Sequence, residues 1–137
     1  MRYMLLIHYD ETQMANRLAD EQAKVFQAYQ DFTMELQEAG VMLAGDALHP
    51  TTTAKTARIV NGNPMTTDGP FAETKEQLGG FYMIDVSTEA EALRWALKIP
   101  DAAGGSIEVR PVLELNYPRV DGWTPPSNAP GGKIPAR

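Results

Sequence analysis

The chain contains no cysteine, so disulfides, thiolate nucleophiles, Cys-ligated zinc and iron–sulfur clusters are excluded together. Positive charge is also scarce. Twelve Lys and Arg face 18 Asp and Glu, a formal net charge of −6, whereas a general binder of nucleic acid or of an anionic membrane needs a cationic surplus. Long apolar runs are missing: Tyr3 to Ile7 is far too short to span a bilayer and lacks the cationic flank and cleavage site of a signal peptide. Neither nucleic acid nor membrane is expected as a partner, and a reduced cytoplasm is the expected location. The chain has no Walker loop, dinucleotide fingerprint, nucleophile elbow, kinase signature or internal repeat, and no cofactor is expected.

What is present suits one globular domain: 137 residues, 43% of them hydrophobic. Arg2 to Tyr9 is an apolar run bounded by Asp10-Glu11 and reads as a buried strand. Asp20 is a candidate cap for a helix over 20–39. Its apolar stripe is Val25, Phe26, Tyr29, Phe32, Leu36 and Ala39, and Gly40 follows as the stop. Val41 to Leu48 and Thr51 to Val60 read as two further strands. Asn61-Gly62-Asn63-Pro64 marks a turn, and Met65 to Thr67 a short returning arm.

Phe81 to Val86 is the next strand. Thr88 and Glu91 form a capping box for a second helix, buried through Ala92, Leu93, Trp95, Ala96 and Ile99 and ended by Pro100. Ile107 to Leu115 closes the pattern. With the small arm set aside, the order is βαββαβ, a ferredoxin-like α+β fold with an antiparallel sheet and helices on one face. The other face needs cover, and a homodimer that stacks two sheets supplies it. The fold is expected over 1–117. Residues 118–137 change composition to Pro125-Pro126, Pro130-Gly131-Gly132 and Pro135, which reads as an extended arm carrying Trp123 or as a disordered tail.

The most distinctive stretch runs from Thr67 to Gly80, a polar connector that leads into a strand through Gly79-Gly80. Asp68 has two readings. It can accept hydrogen bonds within its own turn, with Gly69 and Pro70 shaping the backbone and Phe71 pinning the loop to the core. Alternatively, a rigid carboxylate at a cleft mouth, its pKa raised by burial, serves as a general base. Glu73, Lys75 and Glu76 are a solvated turn in one reading; in the other, Lys75 holds an anionic substrate and Glu73 orients it. Arg110 is a second candidate for holding charge, with Glu108 as its partner. His8, near the end of the first strand, is a candidate proton shuttle or a satisfied neighbour of the core. The spacing of His8, Asp46, His49 and Asp68 matches no metal motif.

The chain resembles the DGPF subgroup of the YCII-related family. The resemblance is carried by Arg2 to Ile7, Ala39-Gly40-Val41, the run Asp68 to Gly80, and Ile107 to Val112. It implies a ferredoxin-like homodimer whose sheets form a barrel-like assembly with a cleft, and in most members no assigned reaction. A His–Asp pair is the proposed catalytic unit of the wider family, and one distant relative resembles a dehydrochlorinase of chlorinated hydroquinones. This chain departs from that pattern. Its first long helix has no histidine and carries Tyr29 near the corresponding place, so the pair does not transfer and Tyr29 is retained as a candidate for substrate binding. The function expected is a cofactor-independent small-molecule enzyme using acid–base chemistry on a small anionic or aromatic ligand. A non-catalytic ligand- or partner-binding module is the alternative.

Overall fold

The computed structural model describes residues 1–115, 118 and 120–122. Trp123 and most of the 118–137 segment therefore lie outside the described residues. Four strands, β1 (Arg2–Tyr9), β2 (Met42–Ala47), β5 (Gln77–Asp85) and β6 (Ser106–Pro111), form one sheet in the order β2-β5-β1-β6. Every pairing in it is antiparallel. Helix α2 (Ala19–Glu38) leads from β1 to β2 across β5, and α3 (Glu89–Leu97) leads from β5 to β6 across β1. These two interleaved split βαβ units are the ferredoxin-like arrangement.

Alternation along β1 explains the layering. Tyr3, Leu5 and Ile7 are buried, whereas Met4, Leu6 and His8 are half-buried on the other face. The buried set joins Phe32 and Leu36 of α2, Ala92 and Ala96 of α3, and Tyr82 and Ile84 of β5 in one core. Phe32 meets Tyr82 and Trp95 edge-on at 5.1 and 6.2 Å between ring centroids. Both long helices thus cover one face, and among the described residues no helix packs on the other.

Helix ends follow local chemistry. At the end of α2, Gly40 adopts φ 72°; its N–H reaches Gln37 O, and Val41 N–H reaches Leu36 O, the paired bonds of a Schellman stop. Thr88 Oγ1 accepts from Glu91 N–H while a Glu91 carboxylate oxygen accepts from Ser87 N–H. Asp20 is not the cap expected for α2. The helix starts one residue earlier, after Leu18, and Asp20 lies in its first turn, where negative charge favours the dipole. Phe26 and Leu93 are 66% and 46% exposed, because each sits one residue, about 100° of helical rotation, off its buried stripe.

Other differences concern boundaries. A five-residue helix, α1 (Glu11–Ala15), follows β1, capped by the Asp10 carboxylate on Thr12 N–H. Thr51–Thr53 forms a 3-10 turn, so β3 is only Lys55–Val60. β3 pairs with β4 (Asn63–Asp68) in a separate two-stranded sheet, turning at Asn61 and Gly62, both with positive φ. β5 begins at Gln77 rather than Phe81, and Gly79 is the extra residue of a bulge facing Ile7 and His8.

Candidate functional site

The connector from Asp68 to Gln77 is held by its own backbone. Gly69, at φ 95°, donates its N–H to Ala54 O at 2.8 Å, and its carbonyl accepts from Thr56 Oγ1 at 2.8 Å. Asp68 forms an ion pair with its cross-strand neighbour Lys55; the side chains are 88% and 65% exposed. Asp68 is therefore not the buried carboxylate that the general-base reading needs. Phe71, 78% exposed, does not pin the loop to the core. Further along, Gln77 ties the loop to α1 by accepting from Glu11 N–H at 3.0 Å, and the Glu11 carboxylate in turn accepts from Thr51 N and Oγ1.

A cleft of about 670 Å³ opens beneath this connector. Its walls come from the end of β1, the β2–β3 connection, β3 and the loop, with His8, Leu48, His49, Lys55, Phe71 and Leu78 among the lining side chains. The His8 ring is oriented by the backbone: its Nδ1 lies 3.2 Å from Leu6 O. A carbonyl only accepts, so Nδ1 carries the hydrogen, and in the neutral ring Nε2 is the free acceptor. Such a nitrogen can take a proton from a bound molecule.

The remaining sequence candidates do not converge on His8. Asp68, Glu73, Lys75 and Arg110 are absent from the lining. Glu73 and Lys75 are exposed on the loop, and Lys75 lies close enough to Asp10 to favour its ionised form. Arg110 and Glu108 are both exposed on β6, and among the described residues no hydrogen bond or ion pair joins them. His49 lines the cleft but Asp46 does not, and no group of three or more His, Asp or Glu among the described residues is arranged to hold a metal ion.

Tyr29 belongs to a different cluster, which sequence reasoning missed. Asp101, only 5% exposed, is the one buried charged residue among those described. It accepts from Tyr29 Oη at 2.7 Å and from the Arg17 guanidinium at 3.0 Å. Burial, and then the hydrogen bond to Asp101, push the Tyr29 pKa up. That hydroxyl is a donor locked onto a carboxylate, not a proton acceptor. The only sequence signal for Asp101 was its place after Pro100 at the end of the second helix.

Among the described residues no helix is long and apolar enough to cross a membrane. The model of the YCII-related domain matches residues 1–116. An uncharacterised protein of Rhizobium meliloti (strain 1021) is 40% identical over 114 residues, which span 82% of this chain and 92% of that protein. With a ferredoxin-like sheet and a family match over residues 1–116, the chain belongs to the YCII-related family.

Proposed function

We propose that the protein is a cofactor-independent enzyme that moves a proton on a small anionic or aromatic compound bound in the cleft, with His8 as the acid–base group. The orientation of the imidazole carries this reading: Leu6 O fixes the hydrogen on Nδ1, which leaves Nε2 as the base. His8 Nε2 takes the substrate proton, the Leu6 carbonyl continues to accept from Nδ1–H of the imidazolium, and the proton then returns to product. The lining suits such a substrate. Leu48, Pro70, Phe71 and Leu78 offer apolar contact, and Lys55 brings positive charge in an otherwise acidic protein.

The homodimer belongs to the same proposal. Met4, Leu6, Phe81 and Met83 are only half-buried, on the sheet face that no helix among the described residues covers. By strand alternation His8 lies on that face, so a second copy stacked there would wall the cleft. Light scattering during gel filtration is expected to give twice the chain mass; a monomer at micromolar concentration would remove the dimer.

The test of catalysis is deuterium exchange. Small carboxylic acids and phenols with acidic C–H groups are incubated with the protein in heavy water and followed by proton NMR. Exchange that His8→Gln abolishes is the expected result. Binding at the cleft without exchange would instead establish the non-catalytic module, which one observation favours: Asp68 is engaged by Lys55, and among the described residues no side chain hydrogen-bonds His8.

A further inference from the structure

Lys55, not the Lys75 of the signature loop, is the lysine that lines the cleft, and it is already bound to a carboxylate. Asp68 stands directly across the hairpin from it and is not itself a lining residue. Both side chains are mostly exposed, so their attraction is weak and readily exchanged. Nor does the turn need the pair, because Gly69 is already fixed by Ala54 O and Thr56 Oγ1. The only carboxylate among the lining residues, Glu76, accepts from Ser106 Oγ at 2.6 Å. Beside Lys55 the cleft thus combines an ammonium group with the apolar surfaces of Leu48, Pro70, Phe71 and Leu78.

We propose that Lys55 selects carboxylate ligands, that Asp68 is an internal stand-in for the ligand carboxylate, and that a small aromatic acid displaces it. The inference rests on the reading that this cleft is the ligand site. No covalent step is involved: one Lys–carboxylate pair replaces another, and the freed Asp68 carboxylate goes to water. Asp68 therefore acts against binding, the opposite of the general-base role its place in the signature suggests.

The probes are benzoate and its uncharged analogue benzyl alcohol, titrated by NMR at low salt into the full chain and into Asp68→Asn and Lys55→Gln. Asp68→Asn is expected to tighten benzoate about two- to five-fold, the strength of one exposed ion pair, and to leave benzyl alcohol unchanged. Lys55→Gln is expected to weaken benzoate alone. Melting temperatures equal to the parent's would show that both variants keep the fold. Benzoate binding that Asp68→Asn leaves unchanged or weakens would overturn the proposal, as would equal losses of both probes in Lys55→Gln. In either case cleft binding itself would stand. If neither probe shifts His8 or Phe71 resonances, the cleft reading fails and takes this inference with it.

Discussion

Removing one oxygen atom tests the buried polar cluster most directly. In Tyr29→Phe, the Asp101 oxygen that accepted at 2.7 Å loses its donor, while Arg17 remains 3.0 Å from the other oxygen. Hydrogen bonds to charged groups contribute about 1.5–3 kcal/mol. At 5% exposure Asp101 has little access to replacement water, so the full range applies. At roughly 4 °C per kcal/mol for a chain of this size, the melting temperature falls by about 6–12 °C. Arg17→Gln is expected to cost less, about 1 kcal/mol, because the guanidinium side chain is 25% exposed and partly screened. The double variant is expected to be non-additive, since both donors serve one carboxylate. Urea unfolding at neutral pH is the assay. A Tyr29→Phe cost below about 0.5 kcal/mol, or below that of Arg17→Gln, would refute the reasoning.

The same site gives an alkaline signature. An unfolded tyrosine ionises at about pH 10, whereas burial first, and then Asp101, raise Tyr29 in the folded state. Below about pH 10 both states hold the proton and the contribution is whole. As pH climbs further the unfolded phenol ionises first, so stability falls toward the folded-state pKa. Tyr9 and Tyr82 are also raised, chiefly by burial. Tyr29→Phe should therefore flatten, without abolishing, the loss of urea midpoint above about pH 10.

Three smaller predictions follow from particular contacts. A Cβ at Gly105 would lie 2.4 Å from His8 O and 2.8 Å from Asp101 O, whereas one at Gly79 meets the far end of the Tyr9 ring at 2.2 Å. Backbone cannot yield as a ring can, so thermal melts should show Gly105→Ala costing more than Gly79→Ala, by up to about 3 kcal/mol in all. Thr88→Ala removes the cap on α3 and should cost about 1 kcal/mol in urea unfolding. The Asp10 carboxyl lies below its ordinary value, first through the Thr12 hydroxyl and then through backbone N–H groups and Lys75. Its contribution is present above the unfolded carboxyl's pKa and lost as pH falls through the folded one. Thr12→Val should move the Asp10 NMR titration upward.

The sheet and the two long helices were legible because their signals are local. Tyr3, Leu5 and Ile7 alternate along β1, Phe32 and Leu36 share a helical stripe, and Gly40 and the Thr88–Glu91 box act within a single turn. Helix α1 escaped because five residues carry no period, and its one sign was an Asp placed two before Thr12. Asp101 escaped for a different reason. Its donors come from Arg17 and Tyr29, 84 and 72 residues away, so nothing near it in the chain foretells its burial.

The signature loop is shorter than its sequence suggests, lying between β4 and the Gln77 start of β5, and its residues contribute differently. Thr51 to Val60 reads like a strand of any sheet and Met65 to Thr67 like a short returning arm; that Lys55 to Val60 and Asn63 to Asp68 stand apart as a hairpin is decided by strand pairing, in which neither joins the main sheet. Phe71 and Asp68 are exposed for that reason, whatever their chemistry invites. What the distinctive residues do is geometric. Gly69 takes a positive φ that ends the hairpin, and Gly79 supplies the extra residue that sets Leu78 opposite His8. Both of those side chains face the cleft. The loop thus shapes a cleft whose proposed acid–base atom, His8 Nε2, belongs to a different element, β1.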